Sequence, residues 1–164
     1  MNIKQIVVFI GMCGFSVGVG NFPVPVPHIV VHEAPKPRLT GLLAIFQGAS
    51  KKSGLPPRLI AAVVHVESRG KIKAVSSAGA IGPMQLMPTT ANMLGVNPYN
   101  IEQNIIGGSE YLAKLIRQFG NIKKALIAYN EGPTALMQGK VYTQSVTYAK
   151  NVIRYESMEK STGS

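Results

Sequence analysis

A chain of 164 residues, 46% of them hydrophobic, suffices for one globular domain with a packed core and a short extension, and leaves little room for a second domain. Its formal net charge of +10 suggests an anionic partner, and charge alone does not separate nucleic acid, a membrane surface and an acidic polymer such as cell wall. All seven acidic residues are Glu (Glu33, Glu67, Glu102, Glu110, Glu131, Glu156 and Glu159), and the single Cys13 leaves disulfides, zinc clusters and thiol catalysis without support.

Residues 1–20 read as a secretory signal, because Lys4 precedes an apolar run from Ile6 to Gly20 that is too short to span a bilayer comfortably. Gly18-Val19-Gly20 supplies small residues for cleavage after Gly20, and an uncleaved N-terminal anchor is the alternative. Met12 is too large for the lipoprotein signal that Cys13 would otherwise suggest. Residues 21–38 form a Pro-rich linker whose five prolines rule out a helix and favour an extended tether. His28 and His32 have a spacing that ligates metals on helices, but the prolines oppose a helix and no third ligand is evident. Neither a metal site nor a cofactor is expected.

The folded domain is expected over residues 39–156, followed by a polar tail over 157–164. Leu39 to Lys52 has amphipathic spacing and ends in Lys51 and Lys52, where cations offset the partial negative charge of a helix C-terminus. Gly54-Leu55-Pro56-Pro57 breaks that helix and opens a second, which carries Glu67. Ser76 to Gly82 is a small-residue loop of the kind that lets backbone approach a ligand closely. Pro88 to Leu94 makes a short helix ended by Gly95. Asn100 with Gln103 resembles a capping box for a long helix whose apolar series runs from Ile101 to Phe119 and stops at Gly120. Asn121 caps a further helix, Ile122 to Asn130, broken by Gly132-Pro133, and Val141, Ser145, Tyr148, Val152 and Tyr155 form the stripe of the last. No segment alternates as a strand, so the domain is predominantly α, and no internal repeat is present.

Glu67 falls on the same helical stripe as Ile60, Val63 and Val64, the face that points into the core. A carboxylate there is costly unless protonated, paired or used, and burial raises its pKa until it can protonate a leaving oxygen near neutral pH. The plainer alternative is a core-edge Glu held by backbone amides or by a cation such as Arg69. Against it stand Ser68, directly following, and Gln85, which arrives through a glycine turn typical of a ligand wall.

Four ordered motifs sharpen this. Glu67-Ser68, then Gly82-Pro83-Met84-Gln85-Leu86-Met87-Pro88, then Asn104-Ile105 with Tyr111-Leu112, and finally Ala128-Tyr129-Asn130-Glu131-Gly132-Pro133 resemble, in order and spacing, the soluble-type (SLT-domain) lytic transglycosylases. The resemblance covers roughly Thr40 to Ile153. It implies a lysozyme-like helical domain, related to goose-type lysozyme, that cleaves the β-1,4 bond between N-acetylmuramic acid and N-acetylglucosamine in peptidoglycan. It further implies that a single Glu acts first as acid on the glycosidic oxygen and then as base on the muramoyl C6 hydroxyl, closing a 1,6-anhydro sugar without adding water. The absence of Asp suits that scheme, since an ordinary glycosidase needs a second placed carboxylate.

Carried over residue by residue, the resemblance makes Glu67 the acid/base. Ser76, Gln85 and Met87 match positions that line the saccharide groove, Met84 lies in the same motif, and Tyr129 matches the tyrosine that faces the catalytic Glu. Ser68 and Asn130 support the site through hydrogen bonds. For Tyr129 the bland alternative is a core aromatic, and for Met84 and Met87 plain packing. Glu131 is the best candidate for a second carboxylate, whereas Glu102 and Glu110 read as surface charges. The chain departs from the family at Pro83, where Leu is frequent, and at Gln144, where many members carry Glu.

Two other readings remain in view: a lysozyme that uses water on the same bond, and a non-catalytic wall-binding scaffold. A nucleic-acid binder is disfavoured because Lys51-Lys52 and Lys123-Lys124 are isolated pairs rather than a basic stripe interleaved with aromatics. Export to the periplasm or cell envelope is expected, with peptidoglycan glycan strands as substrate and an envelope-spanning secretion, pilus or conjugation machinery as a partner suggested by analogy.

Overall fold

Residues 39–162 are described by the computed structural model. The signal segment, the linker, Cys13, His28 and His32 lie outside the described residues. Seven helices follow one another: α1 (Leu39–Ser53), α2 (Pro57–Ser68), α3 (Pro88–Leu94), α4 (Ile101–Phe119), α5 (Ile122–Glu131), α6 (Pro133–Met137) and α7 (Thr143–Thr162). Among the described residues there is no strand, and two isolated bridges, Val75 with Ile81 and Ile81 with Leu86, are the only β pairing.

The punctuation residues set the helix ends. Proline opens α2, α3 and α6, where its missing N–H costs nothing. Gly95 and Gly120 close α3 and α4 at positive φ of 67° and 64°. The Asn100 side chain accepts the Gln103 N–H at 3.0 Å, and Asn121 accepts that of Lys124 at 3.1 Å. The capping box at α4 is only half made, because the Gln103 Oε1 accepts from the Asn97 amide instead of reaching back to Asn100.

Two elements depart from expectation. Gly132-Pro133 ends α5 but also starts α6, since a proline that breaks one helix is a good first residue for the next. The last helix continues to Thr162, through most of the span expected to be a polar tail.

The long α4 is the central element. Its buried face runs from Asn104 through Ile105, Gly108 and Leu112 to Leu115, and it packs on α1 and α5, while α7 packs on α2 and α5. Leu59, Ile60, Val63, Ile105, Leu112, Leu126 and Val152 are essentially inaccessible, and each contributes about 2 kcal/mol of hydrophobic burial. Small residues allow the closest approach: a Cβ on Gly108 would sit 2.7 Å from the Met84 sulfur and 3.0 Å from the Tyr129 hydroxyl. This packing brings the end of α2, the loop after it, α5 and α7 to one place. Among the described residues no helix is long and apolar enough to cross a membrane.

Candidate active site

Glu67 is the penultimate residue of α2, at the point where the buried stripe of Ile60, Val63 and Val64 emerges into a cleft of about 410 Å³. Ser68, Lys71, Ser76 and Gln85 line the same cleft. Burial disfavours the charged form and lifts the Glu67 pKa to about 7, with the Tyr148 hydroxyl acting in the opposite direction. Half-buried and poised near neutrality, the carboxyl can both give and take a proton.

The helix ends abruptly behind Glu67. Arg69 takes the left-handed conformation (φ 54°, ψ 34°), its N–H donating to His65 O at 2.8 Å, in a position usually filled by glycine. The Ser68 hydroxyl is buried within 2.9 Å of the Pro83 carbonyl and 3.1 Å of Val64 O. It therefore ties the end of α2 to the opposite wall of the cleft.

That wall is the turn Gly82-Pro83-Met84-Gln85, and Asn104 of α4 holds it from beneath. The fully buried Asn104 side chain accepts the Met84 N–H at 2.9 Å and donates to Ile81 O at 2.8 Å and Pro98 O at 3.0 Å, using three of its hydrogen-bonding positions. Gly82, at φ +78°, is required because a Cβ there would overlap the Asn104 amide. Gln85 sits at φ 47°, unusual for a residue with a side chain, and its Nε2 donates to Gly82 O at 2.8 Å. The Ser76 Oγ accepts the Ala80 N–H at 2.9 Å, which shapes the lower loop.

Tyrosines close the buried side. Tyr129 of α5 donates its hydroxyl to Met84 O at 2.9 Å, and its ring lies 5.6 Å from that of Tyr111. Tyr148 of α7 is 8% exposed, and among the described residues its hydroxyl is the buried side-chain polar atom without a geometrically sound hydrogen bond. Burial first, and then the Glu67 charge, push both phenols well above their usual range, so each remains a neutral donor.

Not every expected groove residue reaches the cleft. Met84 is fully buried against Gly108 and Ser109, so it packs beneath the groove and offers it only its backbone. Met87 is 41% exposed just before α3, and Asn130 is exposed at the end of α5, where no described residue hydrogen-bonds to its side chain. The Glu131 carboxylate accepts the Tyr142 N–H at 3.2 Å and so pins the chain entering α7, away from the cleft lining. Gln144 is exposed on α7, and Glu102 and Glu110 are exposed on α4. His65 stacks on Tyr155 with ring centroids 3.9 Å apart, and Arg58 pairs with Glu156 at 2.8 Å, both off the Glu67 stripe.

Two residues without an assigned part prove central, Tyr148 and Asn104. The available signal was a tyrosine on the core stripe of the last helix and a polar Asn at the start of an otherwise apolar face.

Fold and site together define a lysozyme-like helical domain built around one carboxyl in a cleft. The family model for the Transglycosylase SLT domain matches residues 44–152, and the chain belongs to that family. A transglycosylase of Enterobacteria phage PRD1 is 47% identical over 85 residues, covering 51% of this chain and 32% of that protein. A membrane-bound lytic murein transglycosylase F of Desulfosudis oleivorans is 36% identical over 109 residues, covering 62% of this chain and 24% of its own. The chain thus spans about a third or less of these relatives. The 70 kDa soluble lytic transglycosylase of Escherichia coli shares the fold, with a TM-score of 0.61 and 27% identity over 70% of this chain and 23% of that one. An inactive mutant of the Pseudomonas aeruginosa lytic transglycosylase Slt superposes at 0.60 with 28% identity, covering 70% of this chain and 23% of that chain.

Proposed function

We propose that this protein is a peptidoglycan lytic transglycosylase that cleaves the β-1,4 bond between N-acetylmuramic acid and N-acetylglucosamine with Glu67 as sole acid/base. The observation that carries this reading is the cleft itself: Glu67 is the only carboxyl among its lining residues, and its pKa is about 7.

In the first step the protonated Glu67 gives its proton to the glycosidic oxygen as the bond from that oxygen to C1 breaks. The resulting carboxylate then takes the proton of the muramoyl C6 hydroxyl while that oxygen bonds to C1. Glu67 ends protonated, as it began, and no water is consumed. A residue that changes charge twice in one cycle is served by a pKa near 7, and the neutral Tyr148 phenol supports the charged half. With Glu131 engaged at Tyr142 and Glu156 at Arg58, no described second carboxylate is available to activate water in the manner of an ordinary glycosidase.

Product analysis tests the reading. Digests of purified peptidoglycan analysed by mass spectrometry are expected to contain 1,6-anhydromuramoyl ends. Reducing muramic acid ends, one water heavier, would instead identify a hydrolase, and no cleavage would identify a wall-binding scaffold.

Tyr148→Phe supplies a second test. Removing a hydroxyl that favours the charged form raises the Glu67 pKa further, so the alkaline limb of the kcat/KM profile is expected to move to higher pH. An unmoved limb would detach Tyr148 from the chemistry.

The expected setting is the periplasm or cell envelope, in keeping with relatives named as membrane-bound murein transglycosylases. A part in opening the wall locally for a secretion, pilus or conjugation apparatus is inferred by analogy with small exported wall-cleaving enzymes. A gene neighbourhood of cell-division or wall-recycling functions would count against that part.

A further inference from the structure

The corner where α4 meets α5 carries positive charge that no described side chain answers. Lys114 and Arg117 are exposed in the last two turns of α4, and Lys123 and Lys124 are exposed in the first turn of α5, across the short turn Gly120-Asn121. None of these four side chains pairs with a described residue, whereas Arg58 pairs with Glu156 at 2.8 Å. No acidic residue lies between Glu110 and Glu131 in the sequence, and the Glu131 carboxylate is taken by the Tyr142 amide. Arg117 suits the negative end of α4, but the two lysines stand at the positive end of α5, where a helix favours acids. The fold therefore holds like charges together at a local cost.

Apolar side chains border this corner. The chain returns toward it through α6, with the Met137 Sδ 3.5 Å from the Gln118 Nε2, and no residue of α6 is fully buried. Lys114 lies one turn before Gln118 on the same side of α4. Met137, Val141 and Tyr142 are 67%, 47% and 61% exposed, with Lys140 among them, and Ile122 is exposed at the start of α5. Large apolar groups gathered beside unpaired cations differ from the single exposed hydrophobics of an ordinary surface. None of these residues lines the cleft.

From this we infer that the face formed by the corner between α4 and α5 and by residues 137–142 docks on the surface of an anionic phospholipid bilayer. The cations meet the headgroup phosphates, while Met137, Val141 and Tyr142 enter the boundary between headgroups and acyl chains. A nucleic acid would use the same cations but offers no apolar layer to Met137 and Val141. Among the described residues no helix is long and apolar enough to cross a membrane, so the contact of this face is adsorption rather than spanning. The inference goes beyond the transglycosylase reading and does not depend on it. Docking of this kind leaves the cleft lining free.

Cosedimentation of the full chain tests it, with vesicles of phosphatidylcholine and of an equimolar mixture with phosphatidylglycerol. Stronger binding to the anionic vesicles is expected, weakening as salt is raised from about 0.1 M to about 0.5 M. With each cation contributing about fivefold to the partition, Lys123→Gln/Lys124→Gln is expected to bind the anionic vesicles about 25-fold more weakly. Met137→Ser/Tyr142→Ser is expected to lose about tenfold while keeping the salt dependence. A lysine variant that binds vesicles as wild type does but has lost affinity for a DNA duplex would assign the cations to nucleic acid and reject the bilayer.

A polarity-sensitive fluorophore on Met137→Cys, in a chain with Cys13→Ser, reports on the face itself whatever residues 1–20 contribute to binding. Its emission is expected to shift to the blue on the anionic vesicles and to stay unchanged on phosphatidylcholine. The same label on Glu102→Cys, at the opposite end of α4, is expected to stay unchanged on both. An unshifted label at Met137, or the same shift at both positions, would overturn the docking face even with the chain bound. The lysine variant is expected to digest soluble glycan strands at the wild-type rate, so failure of the docking face and failure of the enzymatic reading are seen separately.

Discussion

Glu67→Gln is expected to abolish wall cleavage, by at least about a thousandfold, while making the protein more stable at alkaline pH. Both effects come from one property. The fold lifts the Glu67 pKa from 4.5 to about 7 by burial, so between those values the folded state keeps a proton that the unfolded chain has released. The stability associated with that proton is fully present below about pH 4.5 and is lost as pH rises through about 7. The total is about 3 kcal/mol, since each tenfold change in an acid constant corresponds to about 1.4 kcal/mol. Gln has the shape of the protonated acid and never ionises. The variant should therefore melt with wild type near pH 4 and above it at pH 8, by up to about 3 kcal/mol. Melting curves at the two values, read beside a wall-lysis assay, check this. The same offset at both pH values would mean that Glu67 is not held near neutrality, and retained lysis would remove it from the chemistry.

Asn104→Ala is expected to be the most damaging change away from Glu67. It orphans the Met84 N–H and the carbonyls of Ile81 and Pro98 in a site with no exposure at the Asn104 side chain. With each buried unsatisfied group costing about 1–3 kcal/mol, a loss of about 4 kcal/mol is expected, a large part of the stability of a domain this size. Urea unfolding measures it directly. Gly82→Ala should fall in the same range for a different reason, since its Cβ meets the Asn104 amide at a positive φ of 78°. A double variant tests the coupling: removing the Asn104 side chain relieves the tighter of the two contacts the new methyl makes and leaves the one with Pro98 O at 2.9 Å, so the combined loss should be smaller than the sum of the two. Additive losses would mean that the turn and α4 are held independently. Because Asn104 fixes the backbone that presents Gln85, residual folded protein should also cleave poorly.

The carboxyl and its helix were legible because their signals are local. Glu67 stands out against the apolar stripe of α2, and the residues that bound α3, α4 and α5 act through the backbone of their own turns. What a side chain does after the helices pack is a different matter. Met84 and Gln85 are neighbours in sequence, yet the turn at Gly82 sends one into the core beneath Gly108 and leaves the other lining the cleft. Glu131 looked like a possible second carboxylate until the entry to α7 brought the Tyr142 amide against it. The short helix α6 and the extension of α7 to Thr162 escaped notice because proline and polar composition mark where helices can stop as readily as where they start.

By itself the sequence determined an all-helical domain, one carboxyl on a core-facing stripe and the family to which it belongs, since periodicity, capping chemistry and ordered motifs are properties of neighbouring residues. Only the tertiary structure decided that Tyr148 of the last helix stands beside Glu67 and that Asn104 holds the facing wall. Those pairings join residues far apart along the chain. They exist because α4 draws α1 and α5 onto its buried face while α7 closes over α2 and α5. Burial created by that packing, rather than the identity of residue 67 alone, brings the carboxyl to about 7.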